Sequence, residues 1–126
     1  MKHGLKTFAA IGASLCMGFA TVAAQAADWP AKKVHVFVPA SPGGVTDNAA
    51  RTFSRFLEKH TGTNVIIVNQ TGGGGVVAVQ SVKDAQPDGK TLLMFHAMLH
   101  ASHLLGRSPF SYKDLTPLSI ISMTND

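Results

Sequence analysis

The residues best placed for chemistry lie in two glycine-rich loops, each directly after a short apolar run. The first loop reads Pro39-Ala40-Ser41-Pro42-Gly43-Gly44-Val45-Thr46-Asp47 and follows Val34-His35-Val36-Phe37-Val38. The second reads Asn69-Gln70-Thr71-Gly72-Gly73-Gly74-Gly75 and follows Val65-Ile66-Ile67-Val68. A strand that runs into such a loop, with a helix after it, aims bare backbone N–H groups beyond the sheet, which is an anion site. From the first loop the candidate binding residues are Ser41, Pro42, Gly43, Gly44, Thr46 and Asp47. From the second they are Asn69, Gly72, Gly73, Gly74 and Gly75. Gly43 and Gly44 let the backbone approach a ligand with no Cβ in the way and take positive φ. The hydroxyls of Ser41 and Thr46 add donors. Other roles stand beside these: the glycines as turn punctuation, Asp47 as a helix cap, Asn69 as a tie within its own loop.

The kind of anion follows from what the loops lack. No Lys or Arg falls between Pro39 and Arg51, nor between Asn64 and Lys83. An anion would therefore be held by neutral N–H groups, hydroxyls and bridging water, with the partial positive end of the following helix worth about 0.3–1 kcal/mol per charge. This favours a carboxylate over a polyphosphate, which usually recruits Lys or Arg as well. Gly72 and Gly74 begin a G-x-G pattern, but Val77 holds the third position, and no Gly-Lys-Ser/Thr follows. A dinucleotide or P-loop site is therefore not supported.

Elements that could position these loops are legible as a β-α-β-α-β order. Val34–Val38 and Val65–Val68 read as strands apolar on both faces, as in a parallel sheet. A helix is expected from about Asp47 to His60, with Ala49, Ala50, Phe53, Phe56 and Leu57 at helical spacing and Gly62 beyond its end. Residues 76–85 are expected to be helical, although Val76, Val77, Val79 and Val82 also suit a strand. Pro87-Asp88-Gly89 marks a turn, and Thr91–Phe95 a third strand. Ala97–Leu105 is a short helix in this reading, and Leu118–Ser122 starts a fourth strand. The expected fold is α/β, with right-handed crossovers and helices on both faces of a parallel sheet.

The chain has 126 residues and a formal net charge of +4. Residues 1–26 read as a secretory signal peptide: Lys2, His3 and Lys6, an apolar stretch Phe8–Ala24, and a small-x-small site at Ala24-Gln25-Ala26. Residues 27–126 are then the mature part, exported to the periplasm. Without Lys2 and Lys6, nine basic residues face seven acidic ones. The basic residues are scattered rather than striped, so nucleic acid is not an expected partner. Cys16, the one cysteine, falls inside the signal, which leaves no thiol for disulfide, catalysis or metal in the mature part.

Five segments in order carry a family resemblance. They are Trp29-Pro30, Pro39-x-x-Pro42-Gly43-Gly44-x-Thr46-Asp47 with Arg51 downstream, and Val68-Asn69-x-x-Gly72-x-Gly74-Gly75. Pro87-Asp88-Gly89-x-Thr91-Leu92-Leu93 and Lys113-Asp114-Leu115-Thr116-Pro117-Leu118 complete the set. Together they resemble the substrate-binding receptors of tripartite tricarboxylate transporters, the Bug-type periplasmic receptors. The resemblance implies a two-lobed, type II-like binding protein that closes on a small organic acid and passes it to separate membrane permease subunits. It implies a monomer with no cofactor and no enzymatic activity. Gly73 stands where alanine is usual, Lys90 where tyrosine is, and Lys33 where proline is. The chain stops far short of the family's usual length, so it is expected to be the first part of the N-terminal lobe, with the second lobe absent and weak binding or none on its own.

Two other functions compete. His96, His100 and His103 fall at i, i+4 and i+7, one face of a helix if that segment is helical, and could form a periplasmic metal site. Ser41, Asp47 and a histidine could be drawn as a catalytic triad, but Ser41 is not in a G-x-S-x-G elbow, and no histidine has a supported base role.

Overall fold

The computed structural model describes residues 29–121. The signal-peptide reading of 1–26, Cys16 and Ser122 all lie outside the described residues. Three strands form one parallel sheet: β1 (Lys33–Val38), β2 (Asn64–Asn69) and β3 (Thr91–Leu93), in the order β2-β1-β3. β1 is central, pairing Val38 with Asn69 on one side and Phe37 with Leu93 on the other. Three helices alternate with the strands and follow them: α1 (Val45–Thr61), α2 (Val76–Lys83) and α3 (Met98–Leu104). The expected α/β order and parallel pairing are therefore present. Chain direction reverses across β1, going out to β2 and back over it to β3. Right-handed crossovers then put α1 and α2 on opposite faces.

The main core cluster sits on one face of β1, and Ala78 and Val79 of α2 are buried outside it. Val34, Val36 and Val38 alternate inward and are fully buried, with Ala31 and Ala50 beside them. Val65, Ile67, Leu92 and Met94 pack around that cluster while still partly exposed. His35 and Phe37, on the opposite face, are only half-buried. A run that reads as apolar on both faces thus has one closed face and one partly open.

α1 shows how the elements set the site. Gly44 is its N-cap, so the helix starts two residues earlier than its apolar pattern suggests. Gly62 ends it in the left-handed conformation (φ +70°), donating its N–H to the Glu58 carbonyl at 2.9 Å. The buried stripe is Asp47, Ala50 and Ser54, spaced i, i+3 and i+7. Ser54 Oγ–H donates to the Ala50 carbonyl at 2.7 Å, which satisfies a hydroxyl in the core. Of the apolar positions expected inside, Phe53 and Leu57 are half-buried, Ala49 is exposed, and Phe56 is 59% exposed. The sheet beneath α1 is narrow, and only one strip of the helix reaches it.

Toward the end of the described chain the differences grow. β3 ends at Leu93, with Met94 N–H still donating to the Phe37 carbonyl at 2.9 Å. Residues 118–121 are irregular, so the fourth strand expected from Leu118 does not form within them. Lys83 Nζ lies 3.1 Å from Asp114 Oδ1 and 4.6 Å from the Phe110 ring centre, which ties this end to α2. No helix among the described residues is long and apolar enough to cross a membrane.

Candidate functional site

The two glycine loops leave the carboxyl ends of adjacent strands, the side of an open α/β sheet where ligands gather. Their side-by-side placement is set by bonds between them. Asn69 Nδ2, at the end of β2, donates to the Ala40 carbonyl at 3.0 Å and to Asp47 Oδ1 at 2.8 Å. Asp47 Oδ2 accepts from the Gly43 N–H at 2.8 Å and from Arg51 Nε at 2.8 Å. Arg51 reaches on to Asn69 Oδ1 at 3.3 Å. Asn48 Nδ2 donates to the Gly43 carbonyl at 3.1 Å and closes the first loop from outside.

Asp47 is the hub. It lies in the first turn of α1, where a carboxylate is favoured by the helix dipole, and only 1% of it is exposed. The Arg51 guanidinium, the Gly43 amide and the Asn69 amide hold its carboxyl down at about 2, against the mild opposing effect of burial. It is therefore ionised at neutral pH, and its charge is matched by Arg51. Both oxygens are engaged within the protein, so Asp47 organises the loops from behind.

The second loop is built differently. Gly72, Gly73, Gly74 and Gly75 all have positive φ (129°, 56°, 65° and 98°), a left-handed turn that passes into the right-handed α2 at Val76. Side chains rarely adopt such a run, and glycine adopts it freely. A Cβ on Gly75 would overlap the Phe95 ring and stand 3.3 Å from Pro39 Cβ, so this buried glycine is where the second loop meets the first loop and the chain after β3. A Cβ on Gly74 would stand 3.2 Å from Ser102 Oγ of α3.

What remains open is the candidate ligand surface. Gly44 N–H is used by the Ser41 carbonyl (3.1 Å), and Gly75 N–H by that of Gly72 (2.9 Å). The N–H groups of Val45, Thr46 and Asp47, in the first turn of α1, have no intrahelical acceptor. Among the described residues, no acceptor is bonded to the N–H of Gly72, Gly73 or Gly74. Ser41, Pro42 and Gly43 lie exposed at the rim and Thr46 half-exposed. Of the candidate residues, Asp47, Asn69 and Gly75 are thus turned to internal work, and the others stay available to solvent.

Sequence reasoning missed Arg51 as part of this site, although its i, i+4 relation to Asp47 was a usable signal. Phe95 and Ser102 carried no such signal, because they meet the glycines only through the tertiary fold. Within the second loop, Gln70 Oε1 is buried with no hydrogen-bond partner among the described residues.

The histidines do not converge. His96 precedes α3 and accepts the Met98 N–H on Nδ1 at 3.2 Å. His100 packs edge-on to Tyr112 at 5.1 Å, and His103 Nδ1 pairs with the Ser108 carbonyl at 3.2 Å. The helix that would have put all three on one face starts only at Met98. Among the described residues, no group of three His, Cys, Asp or Glu side chains could hold a metal ion, and the metal reading is not supported.

Residues 49–125 match the model of the tripartite tricarboxylate transporter family receptor. A UPF0065 protein of Bordetella pertussis is 33% identical over 112 residues, covering 87% of this chain and 35% of that protein. Protein BugT of the same organism is 31% identical over 122 residues, covering 96% and 37%. The chain therefore spans about a third of the length of the curated relatives it matches. Among solved structures, a TctC solute binding protein from Polaromonas superposes with a TM-score of 0.64 at 26% identity, covering 68% of this chain and 30% of that one. An R. palustris protein solved with adipate gives 0.55 at 34% identity, covering 58% and 24%. With its glycine loops and its parallel sheet in place, the chain belongs to the tripartite tricarboxylate transporter receptor family.

Proposed function

We propose that this chain supplies one half of a carboxylate-binding cleft in a periplasmic solute-binding receptor, serving the membrane permease subunits of a tripartite tricarboxylate transporter. The observation that carries the reading is the paired loops: unbonded amides of Gly72–Gly74 stand beside the first turn of α1, bridged by Asn69 and Asp47. Among the described residues the cation there is Arg51, and Asp47 neutralises it at 2.8 Å. Affinity for an acid then comes from oriented N–H groups and the helix end rather than from net charge. The family is one of receptors rather than enzymes, and this reading assigns no catalytic step. The signal-peptide pattern over 1–26 supports export to the periplasm.

The adipate found with the R. palustris relative makes that dicarboxylate a suitable first probe. A half-cleft leaves the far end of the acid in water, so binding is expected to be weak. At 10 mM adipate, a Kd of ~1 mM would add about 1.4 kcal/mol to stability. That corresponds to a rise in melting temperature of several degrees for a domain of about 100 residues. The neutral isostere adipamide should give no rise. Equal shifts with both compounds, or none with adipate, would overturn the reading.

A further inference from the structure

We propose that Asp47, Arg51 and Asn69 are positioning residues: they bolt the two glycine loops into a single unit, so that both sets of open amides face the acid at a fixed spacing. This rests on the carboxylate reading above and deepens it, because none of the three need touch the ligand.

The loops come from different strands and, by the crossover rule, lead to helices on opposite faces of the sheet. Nothing in that topology fixes the distance between their tips. The three side chains do, beside the Gln70 N–H bond to the Val38 carbonyl at 2.9 Å and the close approach of Gly75 to Pro39. Asp47 divides its two oxygens, one serving the first loop through the Gly43 N–H and the other serving the second through Asn69. Asn69 returns the connection by donating to Ala40 at 3.0 Å, so each loop holds the other at two points. Arg51 closes the ring with Nε on Asp47 and a terminal nitrogen 3.3 Å from Asn69 Oδ1. Each amide and carboxylate oxygen has a defined partner, which leaves one arrangement of donors and acceptors. Reversing the Asn69 amide would point N–H at Arg51 and oxygen at both Ala40 and Asp47. The Asp47 carboxylate is buried while the Arg51 side chain is half exposed, so the bolt is anchored at its acid and accessible at its base.

A lysine at position 51 can pair with Asp47, but its single ammonium replaces a two-pronged guanidinium that spans the acid and the amide. Arg51→Lys is therefore a gentle test, and Asn69→Ala a severe one. The readout is amide hydrogen exchange of the full chain without ligand, followed by NMR. Either variant should speed exchange of the Gly43 amide by at least about twofold, the low end for residues sharing one hydrogen-bond network. For Asn69→Ala the effect crosses from the second loop into the first. The Gly62 amide, bonded to Glu58 at the far end of α1, is the control and should keep its rate. Unchanged Gly43 exchange in both variants would overturn the bolt. So would a parallel rise at Gly62, which would mean general loosening. An adipate titration of the unmodified chain is read separately: its failure removes the carboxylate reading, whereas coupling between the unliganded loops stands or falls on the exchange rates.

Discussion

The two glycine loops expose backbone amides by opposite means. The first is held by a side chain: the Asp47 carboxylate takes the Gly43 N–H, and nothing else crowds that glycine, since a Cβ there would meet no atom within 4 Å. The second is held by shape: four successive positive-φ glycines form a left-handed turn, seated against Phe95 and Ser102. One loop is tied by electrostatics and has room for a side chain at Gly43, whereas the other is tied by packing and has none at Gly75. The lesson is that equal glycine content does not mean equal tolerance, and that the loops should fail under different stresses.

Substitution inside the second loop should do most damage. Gly75→Ala drives a methyl into the Phe95 ring in a backbone region disfavoured for alanine, and overpacking of this kind costs about 1–3 kcal/mol. For a domain of this size each kcal/mol lowers the melting temperature by about 4–8 °C. Thermal melts of the variant and the parent measure it, and an unchanged midpoint would mean that Phe95 moves freely aside.

Removing the first loop's tie comes next. Asp47→Ala strands the Gly43 N–H, one Asn69 donor and the Arg51 guanidinium, and should lower the melting point clearly more than Arg51→Ala, which leaves the carboxylate its Gly43 and Asn69 donors. If the two variants melt together, the carboxylate is not the hub.

Acid should act on the first loop and spare the second. The Asp47 carboxyl is held at about 2 in the folded chain, below its ordinary value of 3.8. The unfolded chain therefore binds the proton first. The stabilisation is complete well above pH 4 and is lost as pH falls from about 4 to about 2. Asp88 and Asp114 are lowered as well, by Lys90 and by Ser111 with Lys83, and add to the slope in the same direction. Asp47→Asn should flatten the acid limb of a stability–pH curve without removing it, whereas Gly74→Ala should leave its slope intact.

The smallest effect belongs to Gly43→Ala. Space is open there, so only the positive φ of 82° opposes the change, at a cost of about 1–2 kcal/mol. Denaturant unfolding of this variant beside Gly75→Ala gives the ratio between the two loops directly.

Much of this could be read from residue order, and the limits have physical causes. Val34, Val36 and Val38 announced a buried strand, and the glycine loops announced where the sheet's carboxyl edge lies. α1 was legible as a helix and its inward face only in part. Its apolar spacing pointed correctly to Ala50 but also to the exposed Ala49 and Phe56, whereas the sheet buries the strip through Asp47, Ala50 and Ser54. Sequence offered Asp47 as a ligand contact or a helix cap; Gly44 holds the cap, and Asp47 instead joins the two loops through Gly43 and Asn69. The overlap of Gly75 with Phe95 depends on how the chain returns after β3, which no local pattern encodes. The histidine trio failed for a local reason, since α3 begins after His96.

The most direct test of the account is an NMR titration of the full chain with adipate, following backbone amides. The account predicts concerted shifts at Val45, Thr46 and Gly72–Gly74, with one apparent Kd from both loops and no response to adipamide. Shifts confined to one loop, or centred instead on His100 and Lys113, would contradict it.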